Sequence, residues 1–119
     1  MAAAAQLSRR ITVTLQYFDG CPNWQTLRER LAAAVTVAGA DHFQIQLMHV
    51  DTPEDAERLH FRGSPTVLVD GLDLFVNGPT QFGLSCRVYD GPGGAPSVEQ
   101  ISAALTAARV RAQTLTDGA

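Results

Sequence analysis

The fold of this chain is decided by residues 11–24, ITVTLQYFDGCPNW. Apolar and polar residues alternate over the first eight positions, and half of the eight are β-branched, which predicts a β-strand over residues 11–18. The Asp19-Gly20 pair then predicts a tight turn. Pro22 suits the first position of a helix, and the TLRERLAAAV segment continues it with strong helix formers. Cys21 is therefore predicted at the N-cap of that helix.

A thiol at this position is expected to be reactive. Unpaired backbone N–H groups and the positive end of the helix dipole favour the thiolate, so we expect a lowered pKa for Cys21. The alternative is a buried cysteine that acts as a small hydrophobic side chain, which is common for this residue type. Position alone leaves both interpretations open.

Composition limits the classes of function. The 119 residues are 45% apolar and 18% charged, which predicts one compact globular domain. The net charge is −3 and no basic block is present, so no nucleic-acid partner is expected. The sequence contains no run of about 18 apolar residues, the length that a membrane-spanning helix needs, so no membrane span is predicted. The first ten residues lack the apolar run of a secretory signal, so we expect a cytoplasmic protein, in which a Cys21–Cys86 bond would be transient.

The middle of the chain predicts a helix, a strand and a second helix. Apolar residues at three- and four-residue spacing indicate an amphipathic helix over residues 23–38, with Gly39 as its stop. Residues 42–50 alternate as a second strand, with Phe43, Ile45 and Leu47 on one face. Asp51 or Thr52 is expected to cap a short helix that ends near His60.

The last third predicts a hairpin and a closing helix. Residues 66–69 and 72–75 flank an Asp70-Gly71 pair, the favoured sequence for a two-residue turn between antiparallel strands. Residues 76–96 are rich in glycine and proline, and so long a connection predicts a functional insertion. Ser97 is expected to cap the last helix.

The predicted domain organisation follows from this order of elements. Residues 1–10 form a frayed N-terminus, residues 11–113 form the domain with its insertion at 76–96, and residues 114–119 form a disordered tail. The order βαβαββα predicts an α/β fold, with a mixed four-stranded sheet and helices on both faces.

Three local features resemble the thioredoxin-like superfamily. Cys21 follows the first strand like the first active-site cysteine of the family, Ser64-Pro65-Thr66 resembles its cis-proline loop, and Gly93-Gly94 lies near the start of the last helix. The likeness covers residues 11–109. The segments YFDGCPNW and RGSPTVLVDG are similar to small thioredoxin-family proteins of unassigned activity that retain one motif cysteine. The resemblance implies a thioredoxin-like sheet, with the third strand antiparallel to the first.

The chain departs from the family at its redox motif. The family's C-x-x-C reads Cys21-Pro22-Asn23-Trp24 here, so dithiol exchange within one helical turn cannot occur. Redox chemistry either stops at a mixed disulfide, as in monothiol glutaredoxin-like proteins, or recruits Cys86. If residues 72–75 are the return strand, Cys86 can lie over Cys21. If residues 87–89 are the return strand instead, a strand of about 15 Å separates the two cysteines. They are then too far apart for a disulfide, which needs Cα atoms within about 7 Å.

Four other residues are candidates for substrate binding. The resemblance implies that the backbone of Ser64, beside a cis Pro65, pairs with an extended thiol substrate; an ordinary turn is the alternative. Trp24 is interpreted as a wall of the core or cleft. Arg62 could support a thiolate or hold a carboxylate of a peptide thiol such as glutathione, and a solvated arginine is the alternative. Tyr17 and Asp19 also flank the site.

Three functions remain open from the sequence. The first is a thiol-disulfide oxidoreductase with Cys21 as nucleophile and Cys86 as resolving thiol, acting on a protein or a low-molecular-weight thiol or disulfide. The second is a non-catalytic thioredoxin-like binding module. The third is a soft-metal or organomercurial carrier that uses both cysteines, because thiolates select soft ions. The scattered histidines predict no zinc site, no cofactor is expected, and the composition is compatible with a homodimer.

Overall fold

The computed structural model describes residues 10–20, 23–73 and 95–117, with side chains for all of these except 113–117. Within these ranges the chain forms four strands and three helices, with a short 3-10 helix, Ala40–His42, after the first helix. In chain order the elements are β1 Ile11–Tyr17, α1 Asn23–Gly39, β2 Phe43–His49, α2 Pro53–Arg58, β3 Thr66–Val69, β4 Leu72–Asp73 and α3 Val98–Asp117.

The four strands form one mixed sheet in the order β2-β1-β3-β4. β1 runs parallel to β2 and antiparallel to β3, and β4 returns antiparallel to β3. A mixed four-stranded sheet with helices was predicted from the sequence, and the structure confirms it. The antiparallel course of Thr66–Val69 beside Ile11–Tyr17 is also confirmed.

The main core lies between one face of the sheet and the helices α1 and α3. Alternation along β1 directs Ile11, Val13 and Leu15 to this face, and Val13 and Leu15 are fully buried. Full burial of one such side chain stabilises the fold by about 1.5–3 kcal/mol. The other buried members of this core are Leu27, Leu31, Ala34, Val35, Ala38, Phe43, Val67, Val69, Ile101, Leu105 and Ala108.

α1 ends where the sequence predicts. Gly39 has a φ of 113°, a left-handed conformation that side chains with a Cβ rarely adopt. The guanidinium of Arg109 donates from Nη1 to the Ala38 carbonyl at 2.6 Å, which satisfies one of the last carbonyls of the helix. A Cβ on Gly39 would meet that Nη1 at 2.9 Å. The backbone conformation therefore favours glycine here, and the flexible Arg109 side chain would have to shift for any larger residue.

α2 is shorter than predicted. Thr52 caps it by accepting a hydrogen bond from the Asp55 N–H at 3.0 Å, but the helix ends at Arg58, two residues before the expected end near His60. The cause is a left-handed His60, with a φ of 53°, which lets the Phe61 N–H donate back to the Ala56 carbonyl at 2.7 Å. This change of chain direction places Phe61 in a second buried cluster with Val50 and Ala56.

α3 begins with a capping box. The Ser97 hydroxyl accepts from the Gln100 N–H at 3.1 Å, and the Gln100 side chain accepts from the Ser97 N–H at 2.7 Å. The helix continues to Asp117, whereas the sequence predicted a disordered tail from Thr114. No glycine or proline interrupts the sequence before Gly118, so nothing stops helix propagation at Thr114.

The predicted hairpin is present. Asp70 and Gly71 have φ values of 49° and 83°, as a tight turn between twisted antiparallel strands requires. β4 is described only for Leu72–Asp73, so the rest of the expected return strand lies outside the described residues. So do residues 1–9 and most of the insertion expected at 76–96. Its last residues, Ala95 and Pro96, are buried.

The apolar face of β2, which the alternation of its residues predicts, is only partly buried. Phe43 is buried, but Ile45 and Leu47 are 41% and 40% exposed. β2 occupies the end position of the strand order, so β1 covers one of its sides only. No described helix has the apolar length that crossing a membrane would need.

Candidate functional site

A row of three rings crosses the sheet edge at which β1 and β2 end. Tyr17 and His49 are register partners at the carboxyl ends of these parallel strands, with ring centroids 5.1 Å apart. Trp24, in the first turn of α1, stacks on Tyr17 with centroids 4.1 Å apart and ring planes 22° from parallel. Trp24 is also partly buried against the main core. We call Trp24, Tyr17 and His49 the aromatic row.

Two carboxylates hold the histidine of this row. His49 Nδ1 lies 2.7 Å from Asp51 Oδ1, and its Nε2 lies 3.2 Å from Asp19 Oδ2. Asp51 follows β2, and Asp19 lies in the turn between β1 and α1. The three side chains are 37%, 66% and 80% exposed for His49, Asp51 and Asp19. At such exposure each pair stabilises the fold by no more than about 1 kcal/mol, so these contacts contribute little to stability.

The loop before β3 is tied to the end of β1. The Phe18 N–H donates to the Ser64 hydroxyl at 3.3 Å, and the Ser64-Pro65 peptide bond is cis, as the resemblance implies. The Thr66 hydroxyl donates to the Gly63 carbonyl at 2.5 Å. Ser64 and Pro65 are both buried, so neither side chain presents surface to solvent. Their role as a substrate platform stays a prediction.

Arg62 lies beside a carboxylate. Its Nη1 is 3.8 Å from Asp73 Oδ2, and the two side chains are 29% and 1% exposed. A buried carboxylate needs such compensation, because an uncompensated charge in the interior is strongly destabilising. Arg62 is therefore not the solvated arginine of the alternative interpretation. Its contact with a thiolate or with glutathione stays a prediction.

Both cysteines lie outside the described residues, so their predicted roles remain predictions. The residues that flank Cys21 are described: Gly20 is in the turn that follows β1, and Asn23 begins α1. This is the strand–turn–helix arrangement that the sequence predicts around the cysteine. Leu72–Asp73 pairs antiparallel with β3, and the chain between this strand and Cys86 lies outside the described residues.

Metal binding has no support from the described part of the chain. There, no three His, Cys, Asp or Glu side chains are placed to hold an ion. Both nitrogens of His49 face carboxylate oxygens. The soft-metal hypothesis concerns Cys21 and Cys86 and stays a prediction.

Sequence reasoning missed the contacts of His49. It described the three histidines as scattered, with no two spaced as ligands on one face, and the register of β1 and β2 was unknown. A signal was present in the order of elements. The carboxyl ends of parallel strands meet at one edge of a sheet, and ligands bind there in open α/β folds. Asp19 and Asp51 follow β1 and β2, and His49 ends β2.

No protein-family model matches this chain, and neither the curated proteins nor the solved structures include a match. The functional interpretation therefore rests on the geometry of the site and on the sequence resemblance.

Proposed function

We propose that this protein is a thiol-disulfide oxidoreductase of thioredoxin-like architecture, with Cys21 as its nucleophile. The observation that carries the proposal is the hydrogen bond from the Phe18 N–H to the Ser64 hydroxyl. It ties the Ser64-Pro65 loop to the end of β1, three residues before Cys21 in the sequence. The resemblance implies that this loop lies beside Cys21.

The sheet supports the thioredoxin-like architecture. Its order β2-β1-β3-β4, with β3 antiparallel to β1, is the arrangement that the resemblance implies. α1 and α3 share the main core with one face of the sheet, while α2 contributes to the second cluster. Phe18 packs against that second cluster, and its ring is edge-on to Phe61 with centroids 6.5 Å apart.

The proposed reaction is thiol-disulfide exchange. The Cys21 thiolate attacks one sulfur of a substrate disulfide, the substrate S–S bond breaks, and its other sulfur leaves as a thiolate. A second thiol then attacks the mixed disulfide. If Cys86 attacks at Cys21, the substrate leaves as a thiolate and a Cys21–Cys86 bond forms, which an external dithiol must reduce. If a low-molecular-weight thiol attacks the substrate sulfur, Cys21 leaves as a thiolate.

Trp24 is incompatible with the usual route, in which the second motif cysteine resolves the mixed disulfide. It occupies the position of the second motif cysteine, and its indole is stacked on Tyr17 and packed against the core. Resolution therefore falls to Cys86 or to an external thiol. The substrates would be protein or low-molecular-weight disulfides.

Exchange assays on three versions of the chain test the proposal. Wild type, Cys21→Ser and Cys86→Ser are each mixed with a small disulfide and excess glutathione, and the consumption of disulfide is followed. Cys21→Ser is expected to fall to the uncatalysed rate. Cys86→Ser is the matched control, since it also loses one thiol. It is expected to keep the first exchange and, when glutathione is left out, to accumulate mixed disulfide on Cys21.

Two outcomes would contradict the proposal. One is full activity in Cys21→Ser. The other is a wild-type rate equal to the uncatalysed one, which would leave the protein as a non-catalytic binding module.

A further inference from the structure

β2 is an edge strand that lacks the usual protection against pairing with another chain. It lies at the end of the strand order, beside β1. Its seven residues, FQIQLMH, include no proline, aspartate, glutamate, lysine or arginine, and its register with β1 is continuous, without a bulge. Natural proteins guard long edge strands with proline, charged side chains or bulges, because a bare edge pairs with other strands. The outer edge of β2 is therefore a candidate interaction surface.

The outward backbone groups of β2 can be assigned from one hydrogen bond. The Val50 N–H, directly after β2, donates to the Tyr17 carbonyl of β1 at 2.8 Å. The N–H and C=O groups of successive strand residues point to opposite sides, so every second residue counted back from Val50 points toward β1. The backbone groups of Ile45, Leu47 and His49 therefore point away from β1. They face no other strand of the described sheet.

The side chains along this edge differ between the two faces of the sheet. Ile45 and Leu47 lie on the face that carries the main core, and they are 41% and 40% exposed. Gln44 and Gln46 lie on the opposite face and are exposed. The edge thus offers apolar surface on one face and uncharged amides on the other.

The sequence of β2 is complementary to itself in the antiparallel direction. About a two-fold axis at Gln46, Ile45 of one copy lies opposite Leu47 of the other, and the axis generates this pair twice. Both backbones point toward the partner in these pairs, so each pair can exchange two hydrogen bonds. Cross-strand pairs of apolar side chains stabilise such a sheet. On the other face Gln46 lies opposite its own copy, and Gln44 lies opposite Met48.

We propose that β2 pairs antiparallel with β2 of a second copy of this chain, about a two-fold axis at Gln46. The two four-stranded sheets then form one continuous sheet. The inference is independent of the proposed function, because no residue of the thiol site takes part in the pairing.

A second copy fits this edge better than two other occupants. Residues 1–9 of the chain, MAAAAQLSR, are rich in alanine, which is depleted in strands. An unrelated extended peptide would gain the backbone hydrogen bonds but not the Ile45–Leu47 pairs. One strand pair buries less than the roughly 1,200–2,000 Å² of a standard interface, so the dimer should dissociate on dilution.

Sedimentation of the full chain tests this inference. Wild type is expected to show a monomer–dimer equilibrium as its concentration is raised to about 1 mM. Leu47→Lys should weaken the dimer by roughly 2- to 30-fold, the effect of two lost cross-strand pairs. Leu72→Lys is the matched control, because Leu72 is a 62% exposed leucine on β4 at the other end of the sheet, and it should leave the equilibrium unchanged. Circular dichroism checks that both variants are folded.

A disulfide across the axis tests the register without weakening the dimer. In a chain with Cys21→Ser and Cys86→Ser, Gln46→Cys should give a covalent dimer on mild oxidation. Directly opposite Cα atoms in antiparallel strands are about 4.5–5.5 Å apart, which suits a disulfide. Gln44→Cys is the control on the same face. Its two copies would be offset by roughly 13 Å along the strands and should not cross-link.

Three results would overturn the inference. A wild type that stays monomeric at the highest concentration would leave the edge to residues 1–9 or to another protein. Equal cross-linking of the Gln46→Cys and Gln44→Cys chains would exclude the proposed register. A dimer that is lost in Leu72→Lys but kept in Leu47→Lys would place the interface at β4.

Discussion

β1 and β2 are neighbouring strands with matched register and opposite burial. Val13 lies opposite Ile45, and Leu15 lies opposite Leu47, so each pair is on the same face of the sheet. Val13 and Leu15 have no exposed surface, whereas Ile45 and Leu47 are 41% and 40% exposed. The difference is position in the sheet, because β1 is flanked by β2 and β3. Alternation predicts which face a side chain is on, and strand order determines how deeply it is buried.

The same two strands also differ between their centres and their carboxyl ends. Their central residues supply or border the core, while their carboxyl ends bring Tyr17 beside His49 and carry Asp19 and Asp51 just beyond. Substitutions in the strand centres should therefore change the free energy of unfolding most strongly. The predictions below test this order of effects.

The largest effect is expected from the pair Leu15 and Leu47. Leu15→Ala should lower the free energy of unfolding by about 2–5 kcal/mol, because it leaves a cavity in a closed core. Leu47→Ala removes the same atoms from a half-exposed site and should lower it by about 1 kcal/mol. Urea denaturation of both variants measures the difference. Equal losses would show that β2 is as enclosed as β1.

A smaller effect is expected where β1 begins. Asp70 accepts a hydrogen bond from the Thr12 N–H at 2.9 Å and has a φ of 49°. Asp70→Ala loses the acceptor and disfavours the left-handed turn, so we expect a loss of about 1–2 kcal/mol. Asp70→Asn is the matched control, since asparagine keeps an acceptor and tolerates this conformation. If urea denaturation finds both variants equally destabilised, the negative charge of Asp70 is what matters.

The smallest effect is expected on the polar side of β1 and β2. Gln44 Nε2 donates to the Thr12 hydroxyl at 3.4 Å across these strands, at an exposed position. Gln44→Ala should change the free energy of unfolding by less than about 0.5 kcal/mol in the same denaturation experiment. A loss above 1 kcal/mol would mean that this face of β2 is anchored more firmly than its exposure indicates.

Local sequence signals predicted most of the fold because each depends only on adjacent residues. The Gly39 stop, the Thr52 and Ser97 caps and the Asp70-Gly71 turn depend on a few neighbouring positions, and each is present in the structure. The end of α2 at Arg58 was missed, because it depends on the reversal that buries Phe61. The exposure of Ile45 and Leu47 was missed because it depends on strand order.

The site was predicted less completely for the same reason. The Cys21 turn and the Ser64-Pro65 loop were identified from short segments, and the structure ties the loop to the end of β1. The His49 contacts depend on the register of two strands separated by a helix, which periodicity does not encode. The Arg62–Asp73 pair likewise joins a loop to a strand that follows a hairpin.

The measurement that tests the central claim most directly is the titration of Cys21. In the Cys86→Ser chain a single thiol remains, and the ultraviolet absorbance of its thiolate can be followed against pH. The account predicts a pKa for Cys21 below about 8.5, the value of an ordinary cysteine, because of the N-terminus of α1. A titration at or above that value would contradict the assignment of Cys21 as the nucleophile.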